Sequence, residues 1–67
     1  MNYNEELYAE MHGPVLNILR RAKKPMVATQ IAKLLGYRPA AVLYCLVYKW
    51  KDEVIKFDTI PVTFKAK

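Results

Sequence analysis

Four prolines and two glycines limit what this chain can fold into. Pro14, Pro25, Pro39 and Pro61 lack the backbone N–H that a helix interior or a central strand needs. Gly13 precedes Pro14, and Gly36 stands just before Pro39. The segments between them suit short helices and strands. With 67 residues in all, one domain is expected. A single cysteine excludes an internal disulfide. One cysteine with one histidine does not complete a structural zinc site of about four ligands. A chain this small therefore relies on packing or on association. Its hydrophobic content of 54% argues against disorder.

Asn4 is a good N-cap for a first helix, with Glu5 and Glu6 in the positive first turn. Gly13-Pro14 is expected to end or sharply kink that helix, and Pro14 suits the first position of the next. Two helices then stack nearly in line, or one helix bends. The division is an N-terminal helical arm over 1–13 and a main domain over 14–67. Met11, Val15, Ile18, Leu19 and Ala22 share one apolar face across the junction. Arg20, Arg21, Lys23 and Lys24 crowd the C-terminal end, where cations suit the helix dipole, and Pro25 stops the helix.

"ATQIAKLLGY" reads as the second helix. Ile31, Leu34 and Leu35 form its buried side, Ala32 permits close approach, and Gly36 caps the end. Val27 and Ala28 are poor N-caps. Pro39 opens the third helix where proline costs least, within a span of 38–51. "VIKFDTIPVTFKAK" is β-branched and aromatic. It predicts two strands, about 54–58 and 62–66, joined near Thr59-Ile60-Pro61.

Stepping about 100° per residue along the third helix puts Val42, Leu43, Leu46, Val47 and Trp50 within about 140°. That face is expected to dock on the first two helices. Ala41, Tyr44, Cys45 and Tyr48 fall opposite, flanked by Ala40 and Lys51 on one edge and Arg38 and Lys49 on the other.

Charge is unevenly spread. Residues 1–19 carry Glu5, Glu6 and Glu10 with no Lys or Arg, a net −3; residues 20–67 hold all eleven cations against Asp52, Glu53 and Asp58, a net +8. A basic body suits a polyanionic partner.

The stretch "KPMVATQIAKLLGYRPAAVLYCLVYKWKDEVIKF" resembles the winged helix-turn-helix family. Ile31-Ala32, Leu35-Gly36, Val42 and Val54-Ile55 fall where that family places core residues, and the resemblance extends over roughly 14–67. The expected architecture is α+β, with three core helices, the N-terminal helical arm and a C-terminal β-hairpin wing. The resemblance implies a small transcriptional regulator that binds double-stranded DNA. Its third helix would enter the major groove, and its basic hairpin would lie on the backbone.

The residues expected at DNA are Thr29 and Gln30 at the start of the second helix, Tyr37 and Arg38 before the third, Ala40, Ala41, Tyr44, Tyr48 and Lys51 on it, and Lys56 and Lys65 on the hairpin. The usual Ser or Thr start of the recognition helix is replaced here by Arg38-Pro39. Asn, Gln and Ser are missing from 38–51, so contact is expected through phosphates and shape, with little base reading. The alternative is a protein-docking winged helix, a small inhibitor or assembly factor using the Tyr44 and Tyr48 face. A homodimer is expected, and the amphipathic segment of Tyr3, Leu7, Tyr8 and Met11 either covers the domain or forms the dimer contact.

His12 has no partner in a suggestive sequence spacing, and Cys45 has no neighbouring histidine base. No glycine loop cradles a phosphate. No enzyme activity, cofactor or metal site is expected. The N-terminus does not read as a signal peptide, and no apolar run approaches the ~20 residues of a membrane span, so a cytoplasmic protein is expected.

Overall fold

The computed structural model describes residues 5–67. The Asn4 cap and Tyr3 lie outside them. Helix α1 spans Glu5–Arg21, with Glu5 and Glu6 in its first turn and Arg20 and Arg21 in its last. No helix end occurs at Gly13-Pro14: Pro14 lies inside α1. A proline in a helix interior costs about 3 kcal/mol. Tyr8, Met11, Val15, Leu16 and Leu19 are all buried along one stripe that passes through this point. Each large apolar side chain gains about 1.5–3 kcal/mol on burial, so the stripe outweighs the proline. The segment set apart as an arm thus supplies Tyr8 and Met11 to the same core cluster as the rest of the chain.

After Pro25 the short strand β1, Met26–Val27, leads directly into α2, Ala28–Leu35. Val27 is the N-cap of α2, and its side chain makes no capping bond. Gly36 closes α2 in the left-handed region at φ 77°, where only glycine sits without strain, and its N–H donates to the Ala32 carbonyl. Ala28, Ile31 and Ala32 are buried. Leu34, expected inside, is 64% exposed. The buried stripe runs through 28, 31, 32 and 35, and residue 34 lies about one 100° step off its centre.

Arg38 is the N-cap of α3, Pro39–Tyr44, with Pro39 at the first position as expected. The helix then continues as a π-helical turn, Cys45–Lys49, closed by a bond from the Trp50 N–H to the Cys45 carbonyl at 2.7 Å. Its inward stripe is Val42, Cys45, Leu46 and Trp50. Two placements are thereby corrected. Cys45, expected outside, is wholly buried, and Leu43, expected inside, is 45% exposed. Val47, Tyr44 and Ala41 are half-buried. The helix is rolled toward its Cys45 side, which places the small thiol in the core and Leu43 at the surface.

Strands β2, Val54–Phe57, and β3, Thr63–Ala66, form the expected hairpin to within about a residue at each end. The sheet has three strands in the order β1-β3-β2, all antiparallel. Met26 opposes Phe64 and Val27 opposes Thr63. Phe64 and Val54 point into the core, while Ile55 and Phe57 are exposed. The Ile60–Pro61 peptide in the connecting loop is cis, and the Thr59 hydroxyl donates to the Pro61 carbonyl at 2.7 Å. The result is a small α+β fold of three helices and a three-stranded antiparallel sheet, compatible with a winged-helix-like arrangement.

Candidate nucleic-acid interface

The β1–α2 junction, the first turns of α3 and the hairpin loop enclose a shallow depression. Val27 and Thr29 line one side, Ala40 and Leu43 the second, Pro61 and Val62 the third. This brings Thr29 and Ala40 together, as the sequence grouped them. Apart from Thr29, the side chains around it are apolar. Gln30 is exposed beside Thr29 on α2, and Arg38 is exposed at the start of α3. Tyr37 is half-buried and packs on the core, as do Ala41 and Tyr44. Lys51 is exposed just beyond the π-turn.

The tyrosines form a ladder that the sequence left unseen. The Tyr8 and Tyr44 rings lie 5.5 Å apart, and the Tyr44 and Tyr48 rings 5.4 Å apart. Tyr44 is thus held between α1 and its own helix. Tyr48, at the end of the ladder, is 65% exposed. The Lys49 ammonium sits 5.4 Å from the Tyr8 ring centre and pairs with Glu5. The Glu5 hydrogen bond is the main cause of an upward shift of the Lys49 pKa. Lys49 is thereby engaged with α1.

The two hairpin lysines do not act together. Lys56 opposes the buried Phe64, whereas Lys65 opposes the exposed Ile55. Directly opposed residues share a face and successive residues alternate, so Lys56 and Lys65 belong to opposite faces of the hairpin. Lys56 also pairs with Asp58 at 3.5 Å. The other nine cations outside these lysine pairs make no ion pair among the described residues.

Elsewhere, His12 Nε2 meets both Glu53 carboxylate oxygens, at 3.0 and 2.9 Å, and its ring stands edge-on to Trp50 at 5.2 Å. Burial pushes the Cys45 thiol up to about 11, with Lys49 opposing and Glu5 adding to the shift. The thiol stays protonated at neutral pH and is a poor nucleophile there. Among the described residues no cluster of three His, Cys, Asp or Glu is placed to hold a metal. Among them, too, no helix is long and apolar enough to cross a membrane.

No family model, curated protein or solved structure matches this chain.

Proposed function

We propose that this protein binds double-stranded DNA as a small winged-helix regulator. The observation that carries the proposal is convergence. The start of α2, the exposed side of α3 and the hairpin loop border one depression. On this reading they meet the duplex together. The net charge of +5, most of it on cations without internal partners, supplies the phosphate attraction. Arg38 and Lys51 are assigned to phosphates, Thr29 and Gln30 to the backbone beside the α2 N-terminus, and Tyr48 to a phosphate through its hydroxyl. Lys56 and Lys65 share the hairpin but not a face, so at most one of them follows the same strand as α3.

A second reading is favoured by a different observation. Ile60 at the hairpin tip is fully exposed, and Leu34, Leu43 and Tyr48 are also exposed. Such residues suit a protein-docking winged helix. Measuring duplex affinity across a salt series separates the two. DNA binding predicts a log–log slope of about −0.9 for each phosphate contacted. Absence of binding at low salt, with a tight protein complex blocked by Tyr48→Glu, decides for docking.

A further inference from the structure

The exposed side of α3 combines two features that do not ordinarily occur together on a DNA-reading helix. Lys49, within the π-turn, is paired with Glu5, and the cations left without an ion pair among the described residues stand at the ends, Arg38 before the first turn and Lys51 after the last. Thirteen residue steps, most of them helical, separate them by about 20 Å. A major groove is about 12 Å wide, so both ends reach the flanking phosphate backbones. The middle then lies over the base edges. There α3 presents Ala40 and the 45%-exposed Leu43, with half-buried Val47 beyond. None of the three can donate or accept a hydrogen bond.

The base edges of the major groove are mostly polar. Guanine offers two acceptors, cytosine a donor, and adenine one of each. Covered by Leu43 and Ala40, those groups lose water and gain no partner, which is costly. One feature of the groove is apolar, the C5-methyl of thymine. It alone gains by contact with this surface. Val27, Pro61 and Val62 continue the apolar lining beside Leu43, so the methyl is shielded from water on more than one side.

Resting on the DNA-binding reading above, we propose that Leu43 and Ala40 recognise thymine methyl groups, so that sequence preference comes from methyl contact rather than hydrogen bonding. The charge arrangement selects duplex DNA as the occupant, because the apolar centre is bracketed by phosphate-binding cations. The preferred site is then rich in A·T pairs, and cytosine methylated at C5 partly substitutes for thymine.

The test is a comparison of duplexes that differ only in that methyl. Binding of a short mixed-sequence duplex is measured at one low and one higher salt concentration by fluorescence anisotropy. It is repeated with every dT replaced by deoxyuridine, and with every dC replaced by 5-methyl-dC. The expected result is about fourfold weaker binding for each thymine methyl removed from contact. Stronger binding to the 5-methyl-dC duplex is also expected. Leu43→Ala is expected to shrink the difference between the dT and deoxyuridine duplexes; the side chain is half out of the core, and circular dichroism checks that the fold persists. Equal affinity for the dT and deoxyuridine duplexes, with a steep salt dependence retained, overturns methyl recognition and leaves the DNA-binding reading standing. No binding to any duplex at low salt overturns both.

Discussion

His12 Nε2 lies 2.9 Å from Glu53 Oε2, joining α1 to the turn that starts β2 across 41 residues of sequence. Both side chains are over 40% exposed, so the pair is solvent-screened and contributes about 1 kcal/mol or less. The edge-on contact with Trp50 adds about 0.5–1.5 kcal/mol for the ring itself. His12→Ala is expected to destabilise the fold more than Glu53→Gln does. A double-mutant cycle in urea measures the coupling, and a value near zero would show that the ring contact, and not the hydrogen bond to Glu53, holds the two elements.

Gly13 and Pro14 are the weakest positions in α1. A Cβ at Gly13 meets nothing within 4 Å, and Pro14 is exposed. Gly13→Ala is expected to gain less than the roughly 0.5–1 kcal/mol of an ordinary helix position, because the Pro14 ring crowds a Cβ on the residue before it. Pro14→Ala returns a hydrogen bond to the carbonyl four residues back and is expected to gain up to about 3 kcal/mol. Thermal unfolding of both variants checks this. A loss of stability in Pro14→Ala would mean that the helix needs the proline's shape.

Cys45 makes stability depend on alkaline pH. Its folded pKa of about 11 stands above the ordinary 9.0, chiefly through burial. The folded state therefore holds the thiol proton more tightly than the unfolded state. The associated stability is complete below pH 9 and is lost as pH rises toward 11. Cys45→Ala is expected to flatten that part of the pH profile while lowering stability at neutral pH. A thiol reagent is expected to label the native protein slowly and the urea-unfolded protein fast; equal rates would contradict the burial.

The opposite placement of the hairpin lysines predicts unequal effects on DNA. If the face of Lys65 meets the backbone, Lys65→Ala reduces the salt slope by about one contact, while Lys56→Ala, whose side chain already pairs with Asp58, leaves it unchanged. Equal reductions would mean that both faces of the hairpin touch the duplex.

What the sequence made legible was local. Gly36 and Pro39 mark the end of α2 and the start of α3 because each supplies a backbone geometry that few other residues supply as readily. The β-branched run after Glu53 marks the hairpin for the same kind of reason. Features set by tertiary packing were not legible. Leu34 and Leu43 look as apolar as Leu35 and Leu46, and only the roll of each helix decides which is covered. Strand β1 is two residues long, too short for alternation to register, and its partner Phe64 is distant in sequence. In the candidate site, Thr29 and Ala40 were found because they sit near helix starts. The contribution of Leu43 was missed because the helix is rolled toward Cys45, which leaves Leu43 on the outside. The aromatic ladder escaped notice because Tyr8 belonged to a segment set apart at Gly13-Pro14.

The π-turn at Cys45–Lys49 has a mechanical consequence for the hairpin. It accommodates, in effect, one additional residue within a single helical turn. Removing one residue there would restore ordinary α-helical winding and leave everything downstream at nearly the same angle around the helix axis. Trp50 would keep its place in the core, and the hairpin would keep its aim. A second deletion, with no π-turn left to absorb it, would rotate everything downstream by about 100°. The aim of the wing is thus buffered against the loss of one residue in the third helix.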